Sequence, residues 1–257
     1  MTGAQLAILI FLFFVTSAVG VVTGSNSLIT VPVMFQFGID PKVAVATNMF
    51  GLTFLNLGAT LSFVRHGDIN ARKLAPLTAV TVAASALGAL LIGSFPSKAV
   101  PLFVTVSMIF VVVFTLTGRD KGVSAESSSP GTGAVVATFA LTFLLGIYGG
   151  MYSGGYVTML TAVLVGFYGL RFTEAVAGTK FINLFSSAVA TAVFAWQGLI
   201  DYYLGIILAV TMFAAAYVGA RTVTRLNDLW LRRIFLAAVV ILAVKTGYDI
   251  LMSSAAS

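Results

Sequence analysis

Ten runs of apolar residues, each bounded by a short polar or glycine-rich interval, set the pattern of the chain. They cover about 5–22, 25–37, 43–64, 74–93 and 98–117, then 133–150, 153–168, 173–197, 200–220 and 231–251. Most are long enough for a helix to cross a hydrocarbon core of about 30 Å. The pattern therefore predicts an all-α polytopic membrane protein. Gly118 to Gly133 is the one long polar stretch, with Arg119, Asp120, Lys121, Glu126, the run Ser127–Ser129 and Pro130. That is the composition of a flexible linker. It divides the chain into a first transmembrane repeat (1–117), a linker (118–132) and a second transmembrane repeat (133–257).

The two halves echo each other. Gly20-Val-Val-Thr-Gly24-Ser-Asn26 matches Gly149-Gly-Met-Tyr-Ser-Gly154-Gly155-Tyr156, and Ala44-Val-Ala-Thr47-Asn48 matches Val176-Ala-Gly-Thr179-Lys180. Phe63-Val-Arg-His-Gly67 matches Phe194-Ala-Trp-Gln-Gly198. The separation drifts only from 129 to 132 residues, so three matches in one order indicate an internal duplication of about five segments. Segments 25–37 and 153–168 each follow a glycine-rich break. A helix over the first would span only about 20 Å, which makes both segments broken or re-entrant helices.

Charge sets the orientation. Arg65, Arg72 and Lys73 follow the third segment, and Arg221, Arg225, Arg232 and Arg233 follow the ninth. Both loops are expected in the cytoplasm. The loop after the eighth segment, repeat mate of the first of these, carries only Asp201. Opposite bias in equivalent loops is what inverted repeats produce. Both termini are then expected outside and the linker inside. The first run, without a basic segment before it, reads as a membrane span and not a removable signal. Parity is the same for eight full crossings as for ten.

Composition narrows the chemistry. Hydrophobic residues make up 59% of the 257 and charged residues 9%, with a mean hydropathy of +1.06. A soluble domain carries about a quarter charged residues. There is no cysteine, which removes thiolate catalysis and disulfides, and the one histidine, His66, cannot build a His-rich metal site. The net charge of +6 lies in loops between apolar runs, which orients a membrane protein and argues against a nucleic-acid partner. Paired carboxylates, a nucleophile–base pair and a P-loop are all missing from the pattern, so an enzyme is not expected.

The candidate site residues lie at the breaks and on two helices. If the short helices begin near Ser25–Asn26 and Gly154–Gly155, their free N–H groups and positive ends point into the membrane interior, where they favour anions. The competing reading is that these glycines only let helices pack closely. Lys180 lies inside an apolar run, about 10 Å from its cytoplasmic end, on one face with Asn183 and Ser187. A charge at that depth usually marks a pathway, although a snorkelling lysine is the alternative. Thr47 and Asn48 are the repeat mates of Thr179 and Lys180, whereas Asn56 and Thr60 read as ordinary interhelical hydrogen-bond donors and acceptors. Lys245 with Asp249, Arg171 with Glu174 and Asp40 with Lys42 read as structural or interfacial charges. Trp196, Trp230, Tyr202 and Tyr203 fit an aromatic belt.

The break with its following Val31-Pro32, and Ala-Val-Ala-Thr-Asn at 44–48, resemble the first half of the TauE/SafE family of membrane permeases. Gly-Ile-Tyr-Gly-Gly at 146–150, Gly-Thr-Lys-Phe-Ile-Asn at 178–183 and Gly-Ala-Arg at 219–221 are similar to its YfcA-like branch. The resemblance implies an inner-membrane carrier of small anions, with sulfite and organosulfonates as the best-known substrates and other small organic acids for some members. By position it implies a site of Ser25, Asn26, Thr47, Asn48, Gly154, Gly155, Thr179, Lys180 and Asn183. Two departures stand out. The usual run of glycines in the first break reads Gly24-Ser-Asn-Ser27, and glycines stand at 20 and 149 where an acidic residue is common.

The expected function is a secondary transporter of a small anion working by alternating access, with an anion channel on the same scaffold as the rival. The expected partners are that anion and the lipid bilayer, and a homo-oligomer is compatible with both. No cofactor is expected. Coupling to H+, to Na+ or to neither is left open.

Overall fold

The computed structural model describes residues 2–23, 26–64, 69–117, 131–222 and 228–255. They form ten α-helices: α1 (Gly3–Thr23), α2 (Ser27–Gln36), α3 (Pro41–Val64), α4 (Ala71–Ser94), α5 (Val100–Thr117), α6 (Thr132–Met151), α7 (Tyr156–Gly166), α8 (Phe172–Trp196), α9 (Tyr202–Thr222) and α10 (Asp228–Ala255). A single 3-10 turn, Ser97–Ala99, leads into α5, and no strand occurs among the described residues. Each helix falls on one apolar run. Seven of them (α1, α3, α4, α5, α6, α8 and α9) are long and apolar enough to cross a membrane.

Local chemistry starts and stops the helices. Pro41, whose missing N–H is harmless in a first turn, opens α3. The Asn70 side chain accepts from Lys73 N at 3.1 Å to cap α4. Phe95, ahead of Pro96, is extended (φ −67°, ψ 148°) and ends α4. The short helices α2 and α7 are followed by Gly38 and Gly169, both with positive φ (75° and 69°) and 131 residues apart in sequence. Only glycine takes that conformation freely.

Hydrogen bonds locate the two ends of the bundle. At one end Gln36 donates to Asp249 (3.0 Å), Ser97 to Asp40 (3.4 Å) and Lys42 Nζ to the Gly93 carbonyl (2.7 Å). The ends of α2, α4 and α10 and the starts of α3 and α5 therefore meet there. At the other end Tyr168 OH donates to the Lys73 carbonyl (3.1 Å), which joins the α7–α8 connection to the start of α4. The helices between are about 36 Å long for 24 residues.

Within this frame α3 runs parallel to α9 and α4 parallel to α8, through close pairs such as Gly51 with Met212, and Gly178 with Leu74. In the same way α1 lies along α9 and α6 along α4. A Cβ on Gly219 would strike the Ala18 carbonyl, and one on Gly88 the Ile147 carbonyl. The two glycines are 131 residues apart. The α3 and α8 helices cross at the centre, where Asn56 donates to Ser187 (3.4 Å) and Thr53 and Thr191 share a hydrogen bond (3.2 Å). Side chains such as Phe11, Leu102, Ile109, Leu144 and Ile206 are more than half exposed, as an apolar solvent allows.

Candidate functional site

Each half of the chain breaks a helix in the interior and starts a short one there. In the first half α1 ends at Thr23, and Asn26 begins the return. Asn26 is buried and its amide donates to Ser17 at 3.0 Å, so it folds back beside the helix it has just left. Gly20 makes room, since a Cβ there would lie 2.8 Å from Asn26 Cβ. In the second half α6 ends at Met151, Tyr152 is extended and Gly155 is left-handed (φ 80°) before α7 begins. Gly149 plays the part of Gly20, leaving space for the Tyr156 ring. The two breaks touch, because Tyr152 OH donates to the Ser27 carbonyl at 2.8 Å. Tyr148 OH holds the Gly154 carbonyl.

Lys180 reaches this region from α8. Its residue is 2% exposed, and Nζ donates to the Gly20 carbonyl at 3.1 Å. It is thus not a snorkelling lysine, since its head points at α1 and not at the headgroups. Among the described residues the one ion pair is Lys245–Asp249 (3.3 Å), and no carboxylate pairs with Lys180. An ammonium has three N–H donors, and one is accounted for by Gly20. Beside it lies a cavity of about 10 Å³, room for roughly one water, lined by Gly20, Asn26, Asn56, Ser153, Lys180 and Asn183 with three apolar residues.

The electrostatics have one sign. The first turn of a helix leaves N–H groups without intrahelical partners and carries a partial positive charge. Two such turns, at Ser27 and Tyr156, adjoin a buried ammonium with no anion opposite. Burying an isolated charge is costly unless something pairs with it.

The family model of the sulfite exporter TauE/SafE matches residues 9–246. The chain belongs to the sulfite exporter TauE/SafE family. Among similar proteins, the probable membrane transporter protein ORF9 of a Sinorhizobium species is 29% identical over 83% of this chain and 82% of that protein. A probable membrane transporter protein of Haemophilus influenzae is 27% identical over 95% of both. The probable membrane transporter protein YfcA of Escherichia coli K12 is 22% identical over 95% of this chain and 90% of its own. No solved structure matches the chain.

Of the residues that the TauE/SafE resemblance points to, the cavity brings together Asn26, Lys180 and Asn183. Gly154 and Gly155 form the turn just behind its wall. Asn48 stands one contact away, with Nδ2 on Ser27 Oγ (3.0 Å) and Oδ1 accepting from Thr30 (2.7 Å), so its amide fastens the first turn of α2. Thr179 accepts from Thr161 on α7 at 3.2 Å. Thr47 lies apart from the cavity, where its hydroxyl accepts from Asp201 N (3.0 Å) ahead of α9. Ser25 lies outside the described residues. Sequence reasoning set aside Asn56 as interhelical glue and overlooked Ser153, and both line the cavity. The signal for Asn56 was its place two turns beyond Asn48, 131 residues before Ser187.

Proposed function

We propose that this chain is a secondary transporter, not an enzyme, that carries a small anion across the cell's inner membrane by alternating access. Sulfite or an organosulfonate is the substrate class best suited to it. The observation that carries this reading is Lys180, buried beside the starts of α2 and α7 with no carboxylate partner among the described residues. Lys180 would neutralise the anion, and Asn26, Asn183 and the two helix starts would replace the water lost from its oxygens.

The architecture supports two inverted repeats. The dominant helix pairs persist when α1–α5 is exchanged with α6–α10: α3–α9 with α8–α4, and α1–α9 with α6–α4. Asn56 and Ser187, 131 residues apart, touch each other where an axis relating the halves would pass. Lys180–Gly20 and Tyr152–Ser27 both bridge the halves, so rocking one half against the other changes contacts at the site itself. A cavity of about 10 Å³ is too small for a four-atom anion, so the site must open toward one side for loading. The end of the bundle with Arg72, Lys73 and Arg171 is the cytoplasmic one by the positive-inside rule, which puts the linker inside and both termini outside.

Radiolabelled sulfite flux in proteoliposomes tests the reading, with sulfonates and small carboxylates as competitors. Saturable flux with counterflow, lost at least tenfold in Lys180→Ala and partly kept in Lys180→Arg, is the expected result. Flux indifferent to Lys180→Ala would remove the lysine from the mechanism. Conductance without saturation would identify a channel.

A further inference from the structure

Asn56 is fully buried on α3, and the orientation of its amide follows from its neighbour. Ser187 Oγ gives its one hydrogen to the carbonyls of its own helix, Asn183 at 2.7 Å and Leu184 at 3.2 Å. Toward Asn56 it can only accept. The Asn56 atom facing Ser187, at 3.4 Å, is therefore the donor Nδ2, because the opposite assignment would set two acceptors against each other. Oδ1 is the amide's remaining polar atom; it is buried and, among the described residues, has no hydrogen-bond partner, and Asn56 lines the cavity.

A buried acceptor without a donor is costly, and its residue lines a small cavity together with Lys180. A metal cation would satisfy Oδ1 but is repelled by Lys180 on the same wall. A bare dianion would suit Lys180 yet set its oxygens against Oδ1. The ligand that satisfies both groups carries a negative charge and one hydrogen-bond donor.

Resting on the transporter reading above, we propose that Asn56 Oδ1 accepts a hydrogen bond from the substrate. The site then selects the singly protonated oxyanion, hydrogensulfite in the sulfite series, and the proton crosses with its carrier. Among the described residues of the helices packed on α3, Lys180 is the titratable side chain on this wall. Lys98, Glu174 and Asp201 lie at helix ends, and Tyr202, Tyr203 and Tyr217 are exposed on α9. The proton therefore needs no carboxylate relay at this depth.

Methanesulfinate is the matched probe, since it has the pyramidal shape and charge of the O-protonated hydrogensulfite with a methyl in place of the hydroxyl, and it does not titrate near neutrality. Initial uptake of each anion by proteoliposomes of the full chain is compared with the pH equal on both sides. In wild type, sulfite is expected to exceed methanesulfinate about tenfold or more at pH 6. That ratio should fall tenfold per pH unit once sulfite loses its proton. Asn56→Leu removes the acceptor at similar volume and should bring the ratio near one. Ser187→Ala frees the amide to turn and should lower the ratio in the same direction, which keeps the test open if the leucine variant fails to fold. A wild-type ratio near one, or an unchanged ratio in the variants, overturns the proposal and leaves Oδ1 with a trapped water. Failure of the transporter reading is a separate result, namely no saturable wild-type uptake of either anion.

Discussion

Asn48 offers the cleanest test of how the first break is held. Its amide makes two buried hydrogen bonds to the first turn of α2, from Thr30 Oγ1 at 2.7 Å and to Ser27 Oγ at 3.0 Å. A neutral buried hydrogen bond contributes about 0.5–1.5 kcal/mol, and interhelical ones in a membrane average about 0.6 kcal/mol. Asn48→Ala loses both, so the expected destabilisation is about 1–2 kcal/mol, or roughly 5- to 30-fold in the folding equilibrium. Thr30→Val removes one donor at nearly constant shape. Its second acceptor, the Asn26 carbonyl at 3.3 Å, is a weaker partner, so most of its effect should pass through Asn48. The two single variants and the double variant, unfolded reversibly in mixed lipid–detergent micelles, form a cycle whose coupling should be about 0.6–1.5 kcal/mol. Coupling indistinguishable from zero would refute the reasoning, because the Asn48 amide would then not be engaged by α2.

Two further outcomes follow from the same geometry. Gly88→Ala and Gly219→Ala each push a methyl into a backbone carbonyl of the neighbouring helix. Overpacking of about 1–3 kcal/mol, reduced by about 1 kcal/mol of helix propensity, should leave both destabilised by similar amounts in the same unfolding assay. A loss at only one position would count against the proposed equivalence of the halves. Tyr152→Phe deletes the bond from Tyr152 to the Ser27 carbonyl and should lower stability by about 0.5–1.5 kcal/mol. It should also change the turnover of sulfite flux more than its KM, since the bond spans the halves; a change confined to KM would count against that role.

The helices were legible in the sequence because each is an uninterrupted apolar run, and lipid permits such a run little besides a helix. Segments read as 25–37 and 153–168 became Ser27–Gln36 and Tyr156–Gly166, so the glycine-rich intervals marked the breaks to within a few residues. Lys180 was legible because a charge is conspicuous in that setting. Asn56 was not, because asparagine is equally at home as a bridge between helices. Its place on the cavity wall is set by the packing of α3 against α8. Thr47 shows the reverse case. It stands beside Asn48 in the repeated motif, but the helical twist turns it toward Asp201 and the start of α9.

The sequence by itself determined a membrane-embedded helical chain and its two interruptions, because hydropathy and glycine act locally and need no partner. Which atoms face one another was decided only in the tertiary structure. Lys180 from the second half meets Gly20 of the first, and Tyr152 meets Ser27, across separations of 160 and 125 residues. Such contacts depend on the rotation and depth of helices set by packing around α3 and α8. That packing gathers polar residues from both halves around one buried cavity.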